Sequence, residues 1–79
     1  MTMEIREAVK TRIENLCKER DWTLNELIKR SGVHQPTISE FMNGRSKYPQ
    51  INTIKKLSLG FGITLSEFFN DDIFNEVDE

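Results

Sequence analysis

Apolar residues recur every three or four positions along most of the chain, which is the spacing of an amphipathic α-helix. The longest such run extends from about Glu4 to Arg20 and predicts the first helix. Its apolar positions are Ile5, Ala8, Val9, Ile13, Leu16 and Cys17. No segment alternates strictly between apolar and polar residues, as a half-buried strand would, so we expect an all-α fold.

Two further helices are predicted by the same four-residue start signal. The segments 23–26 (TLNE) and 64–67 (TLSE) both match the capping box, in which a threonine side chain and a glutamate side chain each bond the other residue's backbone amide. The second helix should end at Gly32, which readily adopts the left-handed conformation of a helix end. The fifth should span Leu65 to Asn70. Trp22, just before the first box, is expected to pack into the core as a hydrophobic staple.

The remaining two helices lie between these signals. The third should begin near His34, with Pro36 in its first turn, where a missing N–H costs no intrahelical bond. It should end at Asn43-Gly44, and residues 45–50 then form a basic loop. The fourth is expected over Ile51 to Phe61, followed by a terminating glycine.

The second and third predicted helices, joined by a short turn that contains glycine, match the helix-turn-helix unit, whose second helix enters the major groove of DNA. Many helical hairpins without DNA function share that pattern. The third helix, however, also carries short polar side chains that suit base edges: glutamine pairs with adenine, and glutamate accepts from cytosine N4. Arg45 and Lys47 follow it in the loop, where basic side chains can meet phosphates.

The charge is distributed unevenly along the chain. The whole chain has a formal net charge of −2, which is unusual for a protein that binds nucleic acid. All 11 lysines and arginines precede Glu67, and the first 66 residues have a net charge of +4. The part that contains the predicted helix-turn-helix is therefore basic. Lys55 and Lys56 fit two interpretations equally well, either the solvated face of the fourth helix or phosphate contacts.

The stretches TLNELIKRSGVHQPTISEFMNGRSKYP and TIKKLSLGFGITLSEFF resemble the phage repressor and Cro type of helix-turn-helix domain, the xenobiotic-response-element, lambda-repressor-like family. The resemblance extends from about Ile5 to Asn70. The matching positions are Leu27, Gly32, Val33, Gln35, Thr37, Ile38, Ser39, Asn43, Gly44, Pro49, Gly62 and 65–68. It implies a five-helix domain that binds double-stranded DNA at an operator with two half-sites and regulates transcription.

The same resemblance implies roles for individual residues. Those that would face bases are Gln35, Pro36, Ser39 and Glu40. Those that would approach phosphates are Thr23, Thr37, Asn43, Arg45 and Lys47. Two positions depart from the family pattern. Ile28 replaces a common alanine, which would move the second and third helices slightly apart, and Pro36 replaces a polar reader, so that its contact would be apolar, toward a thymine methyl group.

The end of the chain holds more large apolar residues than one short helix can easily bury. These residues are Phe68, Phe69, Ile73, Phe74 and Val77. Some of them must cap the core, and we expect the group to form a homodimer interface, because a two-fold dimer would present two recognition helices about 34 Å apart, one turn of B-DNA. The expected division is a DNA-binding domain over 1–70 and an acidic tail over 71–79. The tail either extends as an amphipathic turn or stays frayed.

Few residues suit other kinds of chemistry. Cys17 and His34 are the only cysteine and histidine, so neither an internal disulfide nor a metal site with several such ligands is expected, and no cofactor is expected. Ser39 lies outside any nucleophile-elbow pattern, which argues against an enzyme. The N-terminal segment lacks the apolar run of a signal peptide or a membrane span, so a cytoplasmic location without membrane contact is expected.

Three functions compete on this basis. The leading hypothesis is a dimeric transcriptional repressor. An antitoxin would use the same domain to repress its own operon while also binding a toxin. A protein-interaction module would keep the helix-turn-helix as a scaffold and dock a partner through the apolar tail, without binding DNA.

Overall fold

The computed structural model describes residues 3–45 and 48–77. These residues form five α-helices and one 3-10 helix. The helices are α1 (Ile5–Arg20), α2 (Leu24–Ser31), α3 (Gln35–Met42), α4 (Ile51–Phe61), α5 (Leu65–Phe69) and the 3-10 helix Asp72–Glu76. Extended pairing in the described chain is limited to an isolated parallel bridge between Met3 and Val77. The predicted all-α, five-helix fold is confirmed, and none of the described helices is long and apolar enough to cross a membrane.

The helix boundaries follow the local signals in the sequence. Gly32 and Gly62 end α2 and α4 in the left-handed conformation, with φ of 71° and 78°. Asp21 ends α1 in the same conformation, with φ of 58°, although it is not a glycine. The predicted bounds of α4 are those observed, while α1 begins and α5 ends one residue inside the predicted limits.

The two predicted capping boxes differ in the structure. At α5 the box is complete, because Glu67 N–H donates to Thr64 Oγ1 at 3.0 Å and Thr64 N–H donates to Glu67 Oε1 at 2.8 Å. The hydrogen bond from the Thr64 amide lowers the pKa of Glu67, with a further contribution from the Thr64 side chain. At α2 only half of the box forms: Glu26 N–H donates to Thr23 Oγ1 at 3.2 Å, and the carboxylate of Glu26 instead accepts from Arg30 Nε at 2.8 Å. The prediction of a complete box at α2 is therefore wrong.

All five α-helices contribute to one hydrophobic core. Its buried members are Val9, Ile13, Leu16, Cys17, Leu27, Val33, Ile38, Phe41, Ile54, Leu57, Phe61 and Phe68. Burial raises the pKa of the Cys17 thiol, as expected for a cysteine that acts as a small core residue. Phe68 is 0% exposed and has no surface left for a partner chain. Its expected place in a dimer interface is thus corrected to a core position.

Arg12 fastens the C-terminal segment to α1. Its side chain is only 11% exposed, and it donates to the backbone oxygens of Phe68 at 2.8 Å and Glu67 at 3.0 Å and to Asp71 Oδ2 at 3.1 Å. The last carbonyls of a helix have no intrahelical partner, so these bonds satisfy the end of α5. Each such bond to a charged donor is worth about 1.5–3 kcal/mol.

The residues after Asn70 pack on the rest of the domain as far as Val77. The ring of Phe74 lies 5.0 Å from that of Phe69 and 6.3 Å from that of Phe68, and Met3 N–H donates to Glu76 O at 3.2 Å. Of the two expectations for the tail, the ordered turn is observed over these residues. Asp78 and Glu79 lie outside the described residues.

Trp22 joins the turn after α1 to the end of α4. Its ring stacks on Phe61 at 5.8 Å with an interplanar angle of 9°. The guanidinium group of Arg20 lies 5.7 Å and 5.2 Å from the two ring centroids and donates to Phe61 O at 3.0 Å. Arg30 covers the same indole at 4.5 Å. The expected packing role of Trp22 is confirmed.

Helices α2 and α4 are in close contact where Gly60 meets Ser31. A Cβ atom built on Gly60 would lie 2.7 Å from Ser31 Cβ and 2.8 Å from Ser31 Cα. Gly60 lies inside a helix, where alanine is normally preferred by about 1 kcal/mol. The close approach to α2 therefore explains the glycine.

We predict that Gly60→Ala destabilises the fold, because the backbones of α2 and α4 must separate to admit a methyl group. Overpacking of this kind costs about 1–3 kcal/mol, more than the gain in helix propensity. The measurement is the free energy of unfolding in urea, with exposed Leu59→Ala in the same helix as the control. Unchanged or higher stability of Gly60→Ala would show that the contact is not tight.

Candidate nucleic-acid interface

The turn between α2 and α3 sets the direction of α3. Gly32 N–H donates to Ile28 O at 3.0 Å, and Val33 N–H donates to Ser31 Oγ at 3.3 Å. The side chain of Val33 is buried in the core. The chain is therefore held on both sides of the glycine, and α3 begins immediately afterwards at Gln35.

Helix α3 has one buried and one exposed face. Ile38 and Phe41 are 1% and 3% exposed and anchor the helix in the core. On the outer side, Gln35, Pro36 and Glu40 are exposed, while Ser39 is half-buried. Residues four apart are neighbours on a helix, so Ser39 follows Gln35 and Glu40 follows Pro36 along one polar stripe. The structure thus brings the four predicted base-reading residues together on one side of α3.

The predicted phosphate-binding residues lie at three places around this stripe. Thr37 is exposed in the first half of α3, and Asn43 and Arg45 are exposed just after its end. Thr23 is exposed at the N-cap of α2, where its hydroxyl accepts the Glu26 amide. Lys47 lies outside the described residues. Thr23, Thr37, Asn43 and Arg45 are therefore accessible, and of their four side chains only that of Thr23 makes a hydrogen bond with the described part of the chain.

Sequence reasoning missed a cleft of about 330 Å³ between α3 and the start of α4. His34 and Thr37 line one wall, and Ile38, Phe41 and Leu57 form part of its apolar lining. The opposite wall carries Lys56 and three polar side chains that the sequence did not single out, namely Tyr48, Gln50 and Asn52. One feature of the sequence could have indicated part of this wall. Asn52 and Lys56 are four residues apart on α4, so they share a helix face.

The two lysines that the sequence could not distinguish differ in their position relative to the cleft. Lys56 lines the cleft beside α3, and Lys55 is exposed on α4 without lining it. Tyr48, at 69% exposure, presents an aromatic ring and a hydroxyl group at the same edge. Lys56 therefore adds positive charge beside His34 and Thr37 at the start of α3, where an anionic backbone could be held.

Two acidic residues lie near this surface, and only one of them is paired with a basic side chain. Glu26, in the first turn of α2, is paired with Arg30 at 2.8 Å, which offsets its negative charge. The first turn of α3 contains no acidic residue. Glu40 is exposed on the stripe itself, where it would repel phosphate but can accept a hydrogen bond from a cytosine amino group.

Comparison with known proteins agrees with this geometry. The family model of the Cro/C1-type HTH DNA-binding domain matches residues 12–72. A solved structure, described as the crystal structure of the prophage Lp1 protein 11, is 32% identical in sequence and superposes with a TM-score of 0.80. The match covers 98% of this chain and 100% of that chain. No curated protein sequence matches significantly.

Proposed function

The chain belongs to the family of Cro/C1-type helix-turn-helix DNA-binding domains, and we propose that it represses transcription as a dimer whose α3 helices enter the major groove of an operator. DNA binding and transcription regulation come with the family. The observation that carries the finer proposal is the polar stripe of α3, exposed to solvent and held from beneath by Ile38 and Phe41. Similarity to a prophage protein supports a regulator of the phage repressor type.

The base-reading roles follow from the chemistry of the stripe. Gln35, at the first position of α3, is assigned to a bidentate contact with adenine, and Ser39, one turn later, to either partner of a base pair. Glu40 is assigned to the amino group of a cytosine. Pro36 carries no donor and is assigned to apolar contact with a thymine methyl group.

Phosphate contacts position the stripe without reading sequence. In this proposal they come from the exposed side chains of Thr23, Thr37, Asn43 and Arg45, together with Lys47 from the basic loop. The cleft adds Lys56 to this set, because it lies between α4 and the first half of α3. Together they would hold the backbone on either side of α3.

The dimer is proposed to form through the C-terminal segment, with recognition helices about 34 Å apart. Four of the five residues first considered retain some exposed surface there, and these are Phe69, Ile73, Phe74 and Val77. The domain, assigned to residues 1–70, would then contact its partner through the segment that Arg12 anchors. A competing surface exists on α4, where Ile51 and Leu59 are 67% and 68% exposed.

Selection of bound duplexes from a random pool tests the DNA assignment, and we expect a two-fold symmetric site. Gln35→Ala should relax the selected sequence at one position in each half-site, because it removes one base contact. Arg45→Ala should weaken all duplexes alike and reduce the slope of log affinity against log salt by about 1. The exposed Asn15→Ala, on α1, serves as the control and should change neither. No enrichment, with negligible binding at low salt, would contradict the proposal.

Sedimentation of the full chain tests the dimer, with one lysine substitution on each candidate surface. We expect Ile73→Lys to weaken the dimer, because it puts a charge into the apolar C-terminal segment, and Leu59→Lys to leave it unchanged. Circular dichroism of both variants verifies that each still folds. A dimer lost only with Leu59→Lys would move the interface to α4.

A further inference from the structure

The recognition helix begins at a residue that does not cap it. His34 is the N-cap of α3, and its side chain makes no cap hydrogen bond. Glu4 and Gln50 likewise leave α1 and α4 without a side-chain cap, whereas Thr23 and Thr64 cap α2 and α5 through their hydroxyl groups. A side-chain cap typically stabilises a helix by about 1 kcal/mol. The position before the polar stripe thus holds an exposed imidazole that makes no cap hydrogen bond within the described chain.

His34 lies in the cleft beside one lysine and one tyrosine side chain. Lys56 from α4 and Tyr48 from the loop are the charged or titratable side chains that share the cleft with His34, and no carboxylate lines it among the described residues. An anion entering the cleft would interact favourably with the imidazolium and with Lys56.

We propose that His34 contacts a DNA phosphate as an imidazolium, so that binding DNA takes up a proton and becomes tighter as the pH falls below neutrality. The inference rests on the proposed DNA-binding role of α3. It adds His34 to the phosphate-contacting residues and makes acidity a modulator of operator affinity. Histidine suits this task, because its ordinary titration lies near pH 6.5, within the range that cells experience.

The sign of the effect follows from linkage. A phosphate stabilises the protonated ring, so the midpoint of the His34 titration must be higher in the complex than in the free protein. The additional affinity is fully present below the free-state midpoint and is lost as the pH rises through the midpoint of the complex. A movement of about one pH unit corresponds to tenfold tighter binding by the protonated form.

The first test uses the unmodified protein, since its only histidine gives one imidazole signal by NMR. The ring is titrated from pH 5.5 to 8.5 alone, with the duplex selected from the random pool, and with a scrambled duplex of equal length. We expect the midpoint to move upward by roughly one unit with the selected duplex. If the duplex binds and the midpoint stays in place or moves downward, the inference is overturned while the DNA-binding proposal stands.

Affinity measurements provide the second test. We expect the unmodified chain to bind the selected duplex about tenfold more tightly at pH 5.5 than at pH 8.5, with a salt slope steeper by about 0.9 at the lower pH. Exposed carboxylates ordinarily titrate near pH 4, below this range. His34→Gln and His34→Ser should both lose the difference between the two pH values. Serine at this position can cap α3, whereas glutamine is a poorer cap. Loss of the pH difference in both variants would therefore come from the missing imidazole charge and not from a change in helix stability.

The role of His34 and the DNA-binding function fail under different outcomes. A pH effect that persists in both variants would assign it to another group and overturn the role of His34. If no duplex binds at either pH, the proposed function fails, and this inference fails with it.

Discussion

The rest of the structure depends on the burial of two side chains, Ile38 and Phe41, on the inner face of α3. A helix of eight residues is not stable by itself in water, because isolated helices shorter than about 12–15 residues are marginal. Packing into the core therefore supplies most of the stability of α3. The same burial fixes the rotation of the helix, so that Gln35 and Glu40 face outward. Stability and the proposed DNA recognition are thus divided between opposite faces of one short helix.

The other constraint is the small size of the core, which the termini help to complete. A chain of 79 residues buries a limited share of its surface, and Phe68 near the C-terminus is among its fully buried residues. Arg12 satisfies the carbonyls at the end of α5 and so holds this residue in place. The acidic C-terminal segment follows directly and packs on α1. Core completion therefore limits how much of that segment remains available to a partner.

Local signals in the sequence predicted the helices well, because glycines and capping residues act over four or five positions. The two threonine-glutamate boxes show the limit of such signals. Both have the same spacing, but Arg30 lies one turn after Glu26 and competes for its carboxylate, while no basic residue follows Glu67. The place of Phe68 in the core could not be predicted, since periodicity does not distinguish a core residue from an interface residue at a chain end. The cleft was missed because His34 and Lys56 are brought together only by the packing of α3 against the start of α4.

The central claim is that two copies of α3 read the major groove of one operator. Methylation interference on the selected duplex tests it most directly, because methyl groups at guanine N7 and adenine N3 mark the major and minor grooves separately. The account predicts that N7 methylation blocks binding in two patches one helical turn apart, about 10 base pairs, while N3 methylation within those patches has little effect. Interference confined to the minor groove, or a single patch without a symmetric counterpart, would contradict it.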